Sequence, residues 1–186
     1  MERGGMITTN DESLYSRLKL LRTHGITKSA HELEENHGGW YYEMQELGYN
    51  YRLTDIQAAL GVSQMKRIDE NLNQRRKIAS KYNEAFKNTD IQPLLQKEGH
   101  AYHLYVIKTG DRKGLYEHLR KQDIFSQVHY IPVHYQPYYK KQGFKVGDFP
   151  EAERYYEQCL SLPMYHSLTD EEQDYVIREV LNYVSK

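Results

Sequence analysis

The chain has 186 residues with 25 basic and 26 acidic side chains, a balance that lacks the cationic excess needed to bind nucleic acid or an anionic membrane surface. A lone Cys159 cannot close an internal disulfide, no apolar run approaches the roughly 18 residues that span a bilayer, and Met1–Asn10 lacks the apolar core of a signal peptide, so a soluble protein of the cytoplasm is expected. Eighteen tyrosines against four phenylalanines are the compositional oddity; those at 41, 42, 49 and 51 and at 130, 135, 138 and 139 suit a pocket or an interface, and equally ordinary packing.

Gly4-Gly5 and the β-branched run Met6-Ile7-Thr8-Thr9 predict a strand entered through a flexible turn. Asn10 and Asp11 then open a helix with Leu14, Leu18 and Leu21 at helical spacing and Gly25 as its stop. A single strand and helix cannot close a core, because unpaired strand edges leave backbone donors and acceptors unsatisfied, so this pair is expected to belong to a larger sheet. Residues 26–48 show no sustained period and read as an irregular connection.

Thr54 and Gln57 have capping-box spacing and predict a helix start. Ile56, Ala58, Ala59, Leu60, Gly61 and Val62 are small or apolar all round, which predicts a buried, closely packed first turn or two. Beyond them, Met65, Ile68, Leu72, Ala79, Tyr82 and Phe86 form a one-sided stripe. If unbroken, the helix of some thirty residues would run about 45 to 50 Å, long enough to bridge two domains.

The remainder reads as a small α+β domain. A strand is predicted over 101–109, a helix over 115–122 with Leu115 and Leu119 inward, and a second strand over 125–131. A proline- and tyrosine-rich loop over 132–150 leads to a helix over 151–159 and an extended Leu160-Ser161-Leu162-Pro163. Thr169 and Glu172 form a second capping box, opening a last helix with Val176, Val180 and Val184.

Nine histidines invite a metal, yet the best pair, His129 and His134, lies five residues apart on an extended segment, which puts the rings on opposite faces. No carboxylate or thiol cluster completes a site, and no nucleophile elbow, phosphate-cradling glycine loop or acidic dyad is present. The strongest constellation is Tyr49-Asn50-Tyr51-Arg52. Two residues apart in an extended segment, Asn50 and Arg52 project to one side, an amide beside a guanidinium, which suits phosphate oxygens. The competing reading is an Asn that closes a turn and an Arg that pairs with a surface acid.

The run from Gly48 to Gly61, GYNYRLTDIQAALG, resembles the signature of the DegT/DnrJ/EryC1/StrS sugar aminotransferases. So do the blocks at 4–11, 20–25, 129–134, 149–153 and 160–163, in family order over nearly the whole chain. Around 48–72 the chain is most similar to the branch acting in pseudaminic acid biosynthesis. The resemblance implies an α/β fold, the carboxyl-terminal half of a fold type I pyridoxal 5'-phosphate (PLP) transferase. Residues 1–64 would be a remnant of the large cofactor domain, 65–88 the bridging helix and 89–186 the small domain.

The implied activity is amino transfer from glutamate to a UDP-4-keto-6-deoxy-N-acetylhexosamine, in a homodimer whose sites draw on both subunits. By the same resemblance, Asn50 reaches the cofactor phosphate of the other subunit, Arg52 meets substrate phosphate, and His129 with Tyr130 lies near the sugar pocket. His24 and Tyr49 match pocket neighbours or packing positions. The Schiff-base lysine of the family matches a position upstream of Glu2-Arg3-Gly4-Gly5, so none of the chain's lysines inherits its role and the chain by itself is expected to be inactive. A different class, a non-catalytic fragment or pseudoenzyme that dimerises or binds nucleotide sugar, is the alternative.

Overall fold

A computed structural model of the chain describes residues 5–95 and 97–185. Gly4, in the expected entry turn, lies outside the described residues. The chain divides into two units, Met1–Met65 and Lys66–Lys186.

In the first unit the strand expected at Met6–Thr9 does not form. Residues 5–9 join no ladder, and Met6 and Ile7 are exposed. A β-branched run favours an extended backbone, but a strand also needs an edge to pair with. Helix α1, Glu12–Leu21, starts where the Asp11 carboxylate accepts the Leu14 N–H at 3.0 Å. It ends at Leu21 with Arg22 as its cap, ahead of the expected stop at Gly25, which donates its N–H back to Leu20 O at 3.0 Å. The connection that follows contains a two-residue antiparallel ladder, β1 (Ile26–Thr27) with β2 (Glu43–Met44), in register Ile26↔Met44.

Helix α2, Asp55–Met65, opens on the predicted capping box: Gln57 N–H reaches Thr54 Oγ1 at 3.3 Å and Thr54 N–H reaches Gln57 Oε1 at 3.0 Å. The burial predicted for its first turns is corrected, since Ile56 is 77% exposed, Leu60 53% and Val62 58%, and no residue of α2 is buried. An apolar pattern states that a surface is suited to cover; cover itself must come from another element, and the first unit supplies none. The helix allowed to run on through Phe86 is interrupted, because Arg67 leaves helical geometry at φ −115°, ψ 12°, and α3 begins at Ile68.

The second unit holds the core. Helix α3, Ile68–Phe86, buries Ile78, Ala79, Tyr82 and Phe86. They pack with a three-stranded antiparallel sheet ordered β3 (Gln92–Pro93), β4 (Tyr105–Lys108), β5 (Cys159–Leu162), registered Pro93↔Ile107, Ile107↔Leu160 and Tyr105↔Leu162. Helix α4, Arg112–Lys121, turns Leu115 and Leu119 inward as its period predicts. A single 3-10 turn, Val133–Tyr135, and short α5, Pro137–Lys140, lie in the aromatic loop that leads to α6, Pro150–Gln158. Helix α7, Asp170–Val184, carries both arms of the Thr169/Glu172 capping box and buries Val176 and Val180.

Several buried polar groups in this core are paired, although the Ser126 hydroxyl is buried without a hydrogen-bond partner among the described residues. Tyr82 donates its hydroxyl to Pro163 O at 3.1 Å, Tyr105 donates to Asn83 Oδ1 at 2.7 Å, and Gln173 Nε2 donates to Ile78 O at 2.8 Å. Burial pushes both phenols well above their usual range, so both remain donors. The strand predicted over 125–131 reduces to one bridge, Gln127↔Ser161. Past Gln127 the backbone leaves the ladder, and His129 O accepts the Tyr155 hydroxyl at 3.3 Å instead.

Candidate functional site

The Asn50 segment is held by backbone rather than by side-chain packing. Tyr49 N–H donates to Leu21 O at 2.6 Å, Tyr49 O accepts the His24 N–H at 2.8 Å, and Tyr51 N–H donates to Arg22 O at 2.9 Å. Asn50 thereby bridges Thr23 in antiparallel fashion. Two glycines make the approach possible. A Cβ at Gly48 would lie 2.1 Å from Gly25 N and 2.7 Å from Leu21 O, and one at Gly25, whose φ is +67°, would lie 1.8 Å from Glu46 O. These glycines escaped the sequence analysis as a pair; what marks them is that each borders a block of the resemblance.

Extended backbone alternates its side chains. Tyr49 and Tyr51 share one side, stacked at 5.0 Å between centroids and 9° between planes. Asn50 and Arg52 share the other, as their spacing predicts, and Arg52 Nε donates to Asn50 Oδ1 at 3.2 Å. That bond uses the amide's acceptor and one guanidinium donor. Among the described residues neither side chain makes another hydrogen bond, and Arg52 pairs with no acid. The pair therefore presents the Asn50 Nδ2 amide and the remaining guanidinium N–H groups together at an exposed surface, a donor array suited to phosphate oxygens. His24 lies beside it in the left-handed region at φ 65°, engaged through its backbone.

His129 and Tyr130 lie in the second unit. Their rings meet edge to face at 4.6 Å, Tyr130 is 64% exposed, and His129 is half-buried. His129 Nδ1 is 2.8 Å from Ser161 Oγ. The His129 carbonyl accepts from Tyr155 and, at 3.9 Å, from Cys159 Sγ. Burial pushes both the Tyr155 phenol and the Cys159 thiol up, which keeps them protonated as donors. Sequence reasoning passed over Ser161. Its signal was the alternation of Cys159-Leu160-Ser161-Leu162, which sends Leu160 and Leu162 to the core and the two small polar side chains to the His129 side. His134, the other member of the histidine pair, is buried against Glu153 with Nε2 to Oε1 at 2.8 Å, separate from His129.

The DegT/DnrJ/EryC1/StrS aminotransferase family matches residues 1–181. The chain is 41% identical over 192 residues to the spore coat polysaccharide biosynthesis protein SpsC of Bacillus subtilis, covering 97% of this chain and 49% of that protein. It is 35% identical over 188 residues to the UDP-4-amino-4,6-dideoxy-N-acetyl-beta-L-altrosamine transaminase of Helicobacter pylori, covering 96% of this chain and 47% of that one. In structure it matches the PMP-form of the putative sugar aminotransferase Spr1654 from Streptococcus pneumoniae with a TM-score of 0.85 at 31% identity, over 95% of this chain and 46% of that one. The chain thus spans about half the length of the curated relatives it matches. With the signature run seated on the backbone-pinned Asn50 segment and the match extending through the second unit, the chain belongs to the DegT/DnrJ/EryC1/StrS aminotransferase family.

Proposed function

We propose that this chain is the part of a PLP-dependent nucleotide-sugar aminotransferase that lends Asn50 to the cofactor phosphate and Arg52, His129 and Tyr130 to the substrate. The observation that carries the proposal is the Asn50–Arg52 pair, held on one side of a backbone-pinned segment with its remaining donors facing outward. These residues fit a phosphate group: an amide N–H and a guanidinium supply neutral and charged donors with no carboxylate between them. PLP, when bound, supplies the electron sink through which an amino group passes between donor and acceptor. Asn50 Nδ2 donates to a cofactor phosphate oxygen, and Arg52 both orients the Asn50 amide through Oδ1 and offers its outer N–H groups to the substrate diphosphate.

The substrate in this reading is a UDP-4-keto-6-deoxy-N-acetylhexosamine and the amino donor is glutamate. The likeness to the H. pylori transaminase supports that choice. The working enzyme is a homodimer whose sites draw residues from both subunits, a reading supported by the exposed apolar surface of α2, which starts five residues after Asn50. The chain by itself is inactive in this reading, because the lysine that carries the cofactor in the family has no match among its blocks.

The test is a chimera in which this chain replaces the corresponding half of the H. pylori transaminase. Glutamate-dependent amination of the UDP-4-keto sugar is expected, and Asn50→Ala is expected to weaken PLP retention on gel filtration. Cofactor affinity unchanged by Asn50→Ala would refute the phosphate role. Sedimentation of the same chimera checks the dimer, and a monomer at assay concentration overturns it. Borohydride reduction of the 186-residue chain with PLP, followed by peptide mapping, checks the inactivity of the chain by itself; one specific pyridoxyl-lysine would refute it.

A further inference from the structure

We infer that Ser161 is a positioning residue that locks His129 in the tautomer carrying its proton on Nε2, so that what His129 offers a ligand is a hydrogen-bond donor for an oxygen atom. The inference rests on the reading of His129 as a substrate-side residue and adds what that residue can recognise. Ser161 is 4% exposed. Its backbone is fixed from both directions, with Ser161 N–H donating to Gln127 O at 2.7 Å and Ser161 O accepting the Gln127 N–H at 3.1 Å. The hydroxyl is thereby held 2.8 Å from His129 Nδ1.

A serine hydroxyl carries one proton and two lone pairs, and a neutral imidazole has one nitrogen that donates and one that accepts. Buried donors in folded proteins find acceptors. Among the described residues the Ser161 hydroxyl meets His129 Nδ1 and no other hydrogen-bonding group. Were Nδ1 protonated, it would donate to Oγ and leave the serine proton buried without an acceptor. With Nδ1 as acceptor, both groups are satisfied. The imidazole proton then sits on Nε2, which has no partner among the described residues.

The backbone that carries the ring is held in place, and one ring edge is in contact. The His129 carbonyl is held by Tyr155 and Cys159, and the Tyr130 ring abuts the imidazole at 4.6 Å. A neutral histidine in this state donates from Nε2 and has no lone pair there to take up a proton. It therefore suits a carbonyl, hydroxyl or phosphate oxygen of a nucleotide sugar, and is unsuited to serve as a base through that atom.

The test is long-range proton–nitrogen NMR of the chain labelled in histidine, at a pH where its imidazoles are neutral, with the His129 signals assigned by their disappearance in His129→Gln. The wild type is expected to show one tautomer, with Nδ1 unprotonated and Nε2 protonated. Ser161→Ala is expected to lose that single form to a mixture, and Ser161→Thr, which keeps a hydroxyl on the same carbon, to retain it. A protonated Nδ1 in the wild type, or a tautomer untouched by Ser161→Ala, overturns the inference. Addition of UDP-N-acetylglucosamine tests the underlying reading separately. An Nε2–H signal that ignores the nucleotide sugar while the tautomer stays locked counts against His129 as a substrate-side residue and leaves the positioning by Ser161 standing.

Discussion

Gly48→Ala is the substitution that most directly tests how Asn50 is placed. The new methyl would meet Gly25 N at 2.1 Å, His24 C at 2.5 Å and Leu21 O at 2.7 Å, all backbone atoms that no rotamer change can move aside. The two segments must separate, and three hydrogen bonds are at stake: Tyr49 N–H to Leu21 O, His24 N–H to Tyr49 O, and Tyr51 N–H to Arg22 O. At about 1 kcal/mol net for each, their loss amounts to about 3 kcal/mol. Since 1.4 kcal/mol is a factor of ten, exchange protection of the Tyr49, Tyr51 and His24 amides should fall about 100-fold relative to wild type. Gly61→Ala is the matched control. Nothing lies within 4 Å of a Cβ there, in the interior of α2, so it should leave those amides alone and add up to about 1 kcal/mol of helix stability. Hydrogen exchange followed residue by residue reads both variants. Protection within about threefold of wild type in Gly48→Ala would refute the claim that a glycine contact positions Asn50.

Other expectations concern the second unit. Leu119→Ala removes a fully buried side chain from the core and should cost about 2–5 kcal/mol in urea unfolding, with the slope of the transition unchanged. Thr169→Ala removes the acceptor of the Glu172 N–H at the start of α7 and should cost about 1 kcal/mol by the same measurement. Glu153 is one expected source of acid sensitivity, alongside Asp111, which the Tyr183 hydroxyl and the Gly114 N–H also hold below the usual carboxylate range. Burial on its own pushes the Glu153 carboxyl up, but hydrogen bonds from His134 and from the Gly147 and Phe149 N–H groups outweigh that and hold it below the usual carboxylate range. A carboxyl lowered in the folded state contributes stability that is complete above the unfolded value of about 4.5 and is lost as pH falls through the folded value. Melting of the wild type should therefore drop on acidification below that range, and Glu153→Gln should flatten the dependence; an equal slope in both proteins would remove Glu153 as a source.

What could be read from the sequence was what short-range chemistry decides. Thr54/Gln57 and Thr169/Glu172 were legible as helix starts because a capping box is closed within four residues. Leu115 and Leu119 were legible as inward because one turn of helix puts them on one face. The two-residue spacing likewise sufficed to bring Asn50 and Arg52 to one side. The partner of the Asn50 segment was not legible, because Thr23 lies 27 residues away and the register depends on two glycines reading as one contact. Ser161 was invisible for a related reason: its meaning comes from a bridge to Gln127 across 34 residues, and the predicted strand that would have announced it is reduced to that single pair.

The first strand and the first turns of α2 failed for one shared reason, and it bears on function. Both were assigned from residues that suit burial or pairing, and neither is covered or paired in the described structure. Ile56, Leu60, Val62 and Met65 remain between 53% and 77% exposed. Complete burial of one such side chain is worth about 1.5–3 kcal/mol, so covering four of them at these exposures offers several kcal/mol to whatever surface does so. A helix that begins with a closed capping box yet leaves that stabilisation unrealised has its local signals in agreement and its tertiary partner missing. Asn50 precedes the helix by five residues and is pinned by backbone rather than by a core, so in the proposed enzyme a second subunit packed on α2 would lie near the donors of Asn50 and Arg52. In the proposed homodimer, the exposed apolar surface of α2 that defeats burial prediction is the part of the first unit offered to the second subunit.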